Sequence, residues 1–198
     1  MRKKEGNKEI DIINAAIEVF ANKGFFDSKI SDIAELANVS VGSVYVYYES
    51  KENILYKIFD DIWGSLYKQA LIIAADKKLS IEKKHDAIID TIFDAFTKNT
   101  SLAIVIAHEQ QRLLLRNPKE FTPFFEKFAA IGDKLTKEGI KTKIFAPDID
   151  PQISRLFLHS AFRELINSWA VNPKKFPLNK IRNNFKILSK FGLLKCRK

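Results

Sequence analysis

One stretch, residues 30–55, constrains the fold more than any other part of the chain; it reads ISDIAELANVSVGSVYVYYESKENIL. Its apolar residues recur at helical spacing, and Asn38 tolerates the left-handed backbone that a tight turn between two helices needs. Ser40 is a natural N-cap for the second helix, whose inward face takes Val44 and Tyr48, four residues apart. The stretch therefore predicts a helix-turn-helix, with helices over 31–37 and 41–48.

The outer surface of the second helix carries small residues and tyrosines. Gly42 and Ser43 leave its first turn without bulk, so the helix can approach a phosphate backbone or a groove closely. Tyr45 and Tyr47 carry hydroxyls that can donate to phosphates. Lys51 opposes the dipole of the helix that follows, which favours a phosphate contact over a role in helix stability.

This pattern resembles the DNA-binding domain of the TetR family of bacterial repressors. The matching residues are Ile33, Ala34, Ala37, Val39, Ser40, Gly42, Tyr45, Ser50, Lys51, Glu52 and Leu55. The sequence departs from the family pattern at Asn38, Ser43, Tyr47 and Tyr48. These residues keep, in that order, the tolerance of a left-handed backbone, a hydroxyl group, a donor for phosphate and an aromatic side chain for the core. The alternative is a helical pair that merely packs. By resemblance, we expect the DNA contacts at Ser40, Val41, Gly42, Ser43, Tyr45, Tyr47 and Lys51.

Composition excludes several other classes of protein. The 198 residues are 46% hydrophobic, enough for one large or two small domains. No apolar run reaches the ~18 residues of a membrane span, so we predict a cytoplasmic protein with no membrane partner. A single cysteine and three histidines at no ligand-like spacing predict no disulfide, no metal site and no cofactor. With no nucleophile elbow, phosphate loop or paired carboxylates, we predict no enzyme.

The net charge of +9 is weak evidence for DNA binding because of its distribution. Residues 1–56 hold seven Lys or Arg and nine Asp or Glu, whereas residues 174–198 hold nine basic residues and no acidic one. The excess thus lies at the end opposite the helix-turn-helix. A solvated helix face is the simplest interpretation of that segment.

Helical periodicity continues along the whole chain, so we predict an all-α fold of about nine helices. The predicted helices are Lys8–Lys23, 31–37, 41–48, 51–77, Ile81–Lys98, 102–115, 121–139, 152–171 and 178–194. We place a three-helix DNA-binding domain at 1–50 and a helical ligand-binding and dimerisation domain at 51–198. The fourth helix, with no flexible linker around it, is the expected mechanical link.

The helix at 152–171 is apolar on more than one side, so two of its sides must be buried. It is either a central core helix or one that meets the core on one side and a second copy of the chain on the other. In the family, the last two helices build a four-helix dimer interface. We therefore expect a homodimer that binds a palindromic operator.

The second domain holds many of the sixteen phenylalanines, which either pack into a solid core, the usual case, or line a pocket for an apolar ligand. Polar residues interrupt its apolar helices, either as ligand contacts or as internal ion pairs. Its order of features loosely resembles the acyl-CoA-responsive, fatty-acid-metabolism branch of the family. That resemblance implies a repressor released by an apolar effector such as acyl-CoA or a fatty acid. Two alternatives stay open: a repressor whose effector is an aromatic drug, and an architectural DNA-binding protein with no effector. The candidate ligand residues are Trp63, Phe96, His108, Glu109, Arg112, Phe128, His159, Phe162 and Arg163.

Overall fold

A computed structural model of the protein describes residues 8–116 and 123–193, without the side chains of 111–116, 124 and 191–193. Within these residues the chain forms nine α-helices and no strand. They are α1 Lys8–Lys23, α2 Ile30–Leu36, α3 Val41–Tyr47, α4 Lys51–Ala75, α5 Ile81–Lys98, α6 Thr100–Arg116, α7 Pro123–Lys141, α8 Pro151–Val171 and α9 Leu178–Leu193. The predicted all-α class is confirmed.

The predicted and observed helix ends differ by a few residues, for local reasons. Helix α2 begins early because the backbone N–H of Lys29 donates to the Asp32 carboxylate at 2.9 Å, which fixes the first turn. Helix α8 begins at Pro151, a favoured first position, because the Asp150 carboxylate accepts from the backbone N–H groups of the next two residues. The predicted first residues of α7 and last residue of α9 lie outside the described residues.

The described residues divide into two compact units, one of 8–62 with 99–116 and one of 63–98 with 123–193. The division falls inside α4, whereas the sequence placed the boundary at residue 50. Helix α6 packs against α1 and belongs to the first unit. The Ser101 hydroxyl, for example, donates to the Glu18 carboxylate at 2.9 Å.

The first unit is held together by the buried face of α1, which packs on α2 and α6. Ile12 and Ala16 are completely buried, and Phe20 meets Phe25 edge to face at 5.3 Å between ring centroids. Phe25 is buried in this core, whereas its neighbour Phe26 is 49% exposed.

In the second unit, α5 packs on α7 and α9, and α8 packs on α7 and α9. Charged residues four apart on α5 face charged residues four apart on α9. Arg182 contacts Asp94 at 2.6 Å, Lys186 contacts Asp90 at 2.5 Å, and Lys190 donates to Asp86. Three cations of the basic C-terminal segment are therefore ion-paired. No described helix is both long and apolar enough to cross a membrane.

Candidate nucleic-acid interface and effector cavity

Helix α3 is held in place by contacts at both of its ends. The turn before it uses Asn38 at φ 55°, the left-handed conformation expected from the sequence. The Ser40 hydroxyl accepts from the backbone N–H of Ser43 at 3.1 Å, which confirms the predicted N-cap. At the other end, the buried Tyr48 hydroxyl donates to the Glu9 carboxylate of α1 at 3.2 Å. Burial, together with the nearby charge of Glu9, raises the pKa of Tyr48, so its O–H stays a donor.

The face of α3 opposite the core carries the predicted contact residues. Val44 is completely buried, whereas Val41, Tyr45 and Tyr47 are between 40% and 54% exposed. The Ser43 hydroxyl lies 2.8 Å from that of Ser40, in the exposed first turn. A β-carbon added to Gly42 would meet only the Ser40 hydroxyl, at 3.8 Å, so the surface there is open.

Sequence reasoning missed Val46, the most exposed large apolar side chain on α3 at 80%. The signal was present: Val44 and Tyr48 define the inward face, and the position midway between them must point outward. An exposed apolar side chain on such a helix can contact the methyl group of thymine.

The side chain of Lys51 binds backbone carbonyls within the protein, whereas the sequence predicted a phosphate contact. Its ammonium donates to the backbone carbonyls of Phe25 at 2.5 Å, Ser28 at 2.7 Å and Phe26 at 3.2 Å. It also lies 4.5 Å from the centre of the Phe25 ring. An ammonium has three N–H donors, and three carbonyls take them. Lys51 thus pins the loop between α1 and α2 to the start of α4.

Asp32 completes this framework on the other side of the loop. Its carboxylate accepts from the Lys29 backbone N–H and lies 3.0 Å from the Lys23 ammonium at the end of α1. The backbone hydrogen bond, followed by Lys23, lowers the pKa of Asp32 below its usual value. The helix-turn-helix is therefore oriented by polar contacts to backbone groups as well as by its apolar core.

The second unit contains an apolar cavity of about 160 Å³. Helices α4, α5, α7, α8 and α9 all contribute to its wall. The lining residues are Trp63, Ile81, His85, Ile88, Ile89, Ile92, Phe125, Phe128, Ala129, Gly132, Asp133, Leu135, Thr136, Phe145, Pro151, Ser154, Arg155, Leu158, His159, Phe162 and Phe185.

Four of the nine candidate ligand residues line this cavity: Trp63, Phe128, His159 and Phe162. The others do not. Phe96 is completely buried and stacks on Phe162 at 5.6 Å, one layer behind the wall. His108 and Glu109 belong to α6 in the first unit, Arg163 is not part of the wall, and the side chain of Arg112 lies outside the described residues.

Polar groups on the cavity wall were the main omission of the sequence reading. His85 is one of them, and burial lowers its pKa, so the imidazole is neutral at pH 7. Burial, followed by the charges of Arg163 and Arg155, lowers the pKa of His159 in the same direction. Arg155 lies 3.2 Å from Glu126 and 3.5 Å from Asp133. One face of α7 is marked by the spacing of Phe125, Phe128 and Gly132. That spacing could have identified the adjacent Asp133 as a residue of the cavity wall.

Large apolar side chains are exposed on α8 and α9, which pack against each other. They are 51–84% exposed, in contrast to the buried Ile166 and Trp169 of the same α8. The exposed set is Ile153, Leu156, Phe157, Val171, Ile187 and Leu188. Helix α8 is therefore apolar on an outward side too, as the sequence predicted.

Comparison with known proteins places both parts of the chain. The family model for bacterial regulatory proteins of the tetR family matches residues 12–58, and that for the C-terminal region of YsiA-like proteins matches residues 65–190. The fatty acid metabolism regulator protein of Bacillus subtilis (strain 168) is 26% identical over 182 residues, covering 92% of this chain and 93% of that protein. The repressor KstR2 of Rhodococcus jostii (strain RHA1) is 26% identical over 161 residues, with coverage of 78% and 76%.

A solved structure is similar over nearly the same length. The crystal structure of the regulator FadR from Bacillus subtilis in complex with stearoyl-CoA superposes with a TM-score of 0.81 at 26% identity, covering 92% of this chain and 98% of that one. The helix-turn-helix, the helical second unit and these matches all point to the same family. The chain belongs to the TetR family and is a DNA-binding transcriptional repressor, not an enzyme.

Proposed function

We propose that the protein is a ligand-responsive repressor that binds a palindromic operator as a homodimer and is released by an apolar effector. The observation that carries the proposal is the apolar cavity within the second unit, lined by Trp63 and five phenylalanines. An effector-free architectural protein has no need of such a cavity. Because the chromosome is the partner, the protein acts in the cytoplasm.

The effector we favour is a long-chain acyl-CoA. A relative of 26% identity was solved with stearoyl-CoA, and the isoleucines and phenylalanines of this cavity suit an alkyl chain. An aromatic drug is the competing occupant, and the titration described below distinguishes the two.

For the DNA contacts we propose the outward face of α3, with each half of the dimer in one major groove. Tyr45 and Tyr47 donate to phosphates, Val46 reads a thymine methyl, and the open surface at Gly42 lets the helix approach closely. Lys51 supports this face from within the protein. Tyr47→Phe should weaken binding uniformly across sequences, whereas Val46→Ser should relax the preference at one base pair, by about 1–3 kcal/mol.

The homodimer is supported by the exposed apolar side chains of α8 and α9, which a monomer would leave in water. Phe157→Glu should shift the protein toward a 22.7 kDa monomer in sedimentation velocity at micromolar concentration. Ile72→Glu is the matched control, since Ile72 is 73% exposed and lies on α4 rather than on either of these two helices. Dissociation by both variants, or by neither, would count against this interface.

We infer that α4 links effector binding to DNA release, because it contributes Leu55 to the core of the first unit and Trp63 to the cavity wall in the second. A ligand that fits better when α4 is displaced favours dimers whose α3 helices no longer match adjacent grooves. DNA affinity then falls by the ligand's preference for that state, commonly about 1–3 kcal/mol, and DNA weakens ligand binding equally.

The test is a titration of the dimer on an operator selected from random duplexes, followed by fluorescence anisotropy. Stearoyl-CoA, free stearate and a cationic aromatic dye are compared at matched salt. We expect release by the acyl thioester. Release by the dye alone would assign the aromatic-drug alternative, and no release by any of the three would favour the architectural alternative.

A further inference from the structure

The apolar cavity contains polar atoms that no protein group satisfies. Trp63 Nε1, both ring nitrogens of His85 and Asp133 Oδ1 are buried without a hydrogen-bond partner, and all three residues line the cavity. They supply four of the seven such side-chain atoms among the described residues. A buried polar group left without a partner costs about 1–3 kcal/mol. All four belong to residues that line the same cavity.

Their neighbours hold these groups in place without satisfying them. The Trp63 ring lies between Phe125 and Phe128, at 5.0 and 5.4 Å between centroids. His85 Nδ1 lies 3.9 Å from Asp86, beyond hydrogen-bond distance, and Asp86 is itself paired with Lys190. Asp133 directs Oδ2 toward Arg155 at 3.5 Å, which leaves Oδ1 without a donor.

The chemistry of the three groups limits what they can bind. Trp63 Nε1 only donates, Asp133 Oδ1 only accepts, and a neutral His85 offers one donor and one acceptor. The Arg155 charge is already shared between Asp133 and Glu126, so an anionic group of the ligand finds no free cation among these residues. A matching group must be uncharged and must both donate and accept.

We propose that the effector carries a hydroxyl group on its apolar part and that this hydroxyl is bound by one or more of the polar groups of Trp63, His85 and Asp133. The inference rests on the proposed function and deepens it: the effector class is a hydroxylated acyl chain rather than a plain saturated one. The hydroxyl donates to Asp133 Oδ1 or to the acceptor nitrogen of His85, and it accepts from Trp63 Nε1 or from the donor nitrogen of His85. A ketone satisfies the donors alone, and an alkyl chain satisfies none.

The first experiment is calorimetric titration of the dimer with stearoyl-CoA, its monohydroxylated isomers along the chain, and the corresponding ketones. We expect at least one hydroxylated isomer to bind about 5–50-fold more tightly than stearoyl-CoA, as one or two hydrogen bonds allow, with its ketone between the two. If stearoyl-CoA binds and releases the operator but no isomer binds more tightly, this inference fails and the proposed function stands. If no acyl thioester binds, this inference and the assignment of acyl-CoA as the effector both fail.

A second experiment separates the polar groups from the shape of the cavity. Trp63→Phe removes the indole N–H, and the ratio of hydroxylated to saturated affinity should fall by about 2–10-fold. Trp169→Phe is the control, since Trp169 is buried in α8 but does not line the cavity, and the ratio should persist. It also leaves Trp63 as the only tryptophan, whose emission should shift with a hydroxylated ligand more than with a saturated one. An unchanged ratio in Trp63→Phe would overturn the assignment.

Discussion

The two units of the protein use their polar side chains in opposite ways. In the first, Ser40, Asp32 and Lys51 each bind backbone groups, and Tyr48 binds Glu9. In the second, buried polar atoms are left without partners: all seven such side-chain atoms among the described residues belong to it. Polar residues near the helix-turn-helix therefore fix the shape of a surface, whereas four of the unsatisfied atoms belong to residues that line the cavity.

The units also differ in how their sites are assembled. The contact face proposed for DNA comes from one helix of seven residues. The cavity takes residues from five helices, from Trp63 on α4 to Phe185 on α9. A local site tolerates distant changes that leave its framework intact, whereas a cavity changes with any shift of one wall.

The largest expected effect tests the framework of the first unit. Lys51→Met removes the donor shared by three carbonyls, so we expect a loss of about 2–4 kcal/mol in the free energy of unfolding, measured in urea. Lys57→Met on the same helix loses only an exposed pair with Asp61 at 2.6 Å, expected to be worth about 0.3–0.5 kcal/mol. A Lys51→Met protein of unchanged stability that binds the operator weakly would instead restore the phosphate role.

The next effect tests the cavity wall with two glycines of α7. A β-carbon at Gly139 would lie 2.2 Å from the buried Phe145 ring, so Gly139→Ala should destabilise the protein by about 1–3 kcal/mol. A β-carbon at Gly132 would meet nothing within 4 Å, so Gly132→Ala should stabilise the helix by about 0.5–1 kcal/mol. Gly132 lines the cavity, and the added methyl group should lower effector affinity. Thermal unfolding and calorimetric titration of the two variants check both signs.

The free energy of unfolding should depend on pH through the two buried histidines that line the cavity of the second unit. Burial lowers the pKa of His85 and of His159 below the ordinary value of 6.5, so the unfolded chain binds more protons. Stability should therefore be complete above pH 6.5 and fall as the pH drops below it, by at most about 1.4 kcal/mol per pH unit for each histidine.

The measurement is the urea midpoint between pH 7.5 and 5.5. The double variant His85→Gln, His159→Gln should show a flatter dependence. An equally steep dependence in that variant would assign the effect to carboxylates.

The smallest expected effect concerns the ion pairs between α5 and α9. Asp90→Asn removes the partner of Lys186 and weakens that of Arg182, which lies 3.7 Å away; we expect a loss of about 0.5–1 kcal/mol. In 1 M NaCl, where the Debye length is about 3 Å, most of this loss should vanish. The loss caused by Lys51→Met, in contrast, should persist in salt because its partners are carbonyl dipoles. Equal salt dependence of the two losses would contradict the contrast between the units.

The sequence by itself determined the all-α class, the positions of the nine described helices within a few residues, and the geometry of the turn at Asn38. It also identified Ser40 as a cap and Val44 and Tyr48 as inward residues. Each of these depends on residues within about four positions of one another, whose relative placement is set by the helix itself. The recognition of the family follows from the same local pattern.

Only the tertiary structure decided the role of Lys51, the composition of the cavity wall and the pairing of the basic C-terminal segment. Lys51 meets carbonyls 23 to 26 residues away, and Lys190 meets a carboxylate 104 residues away. The helical periodicity of α5 identifies Phe96 as a buried residue, but Phe96 lies one layer behind the cavity wall. His85, on the same helix, lies on that wall. Periodicity shows that a face is buried but not which neighbour covers it, because the crossing of two helices depends on the packing of all the side chains between them.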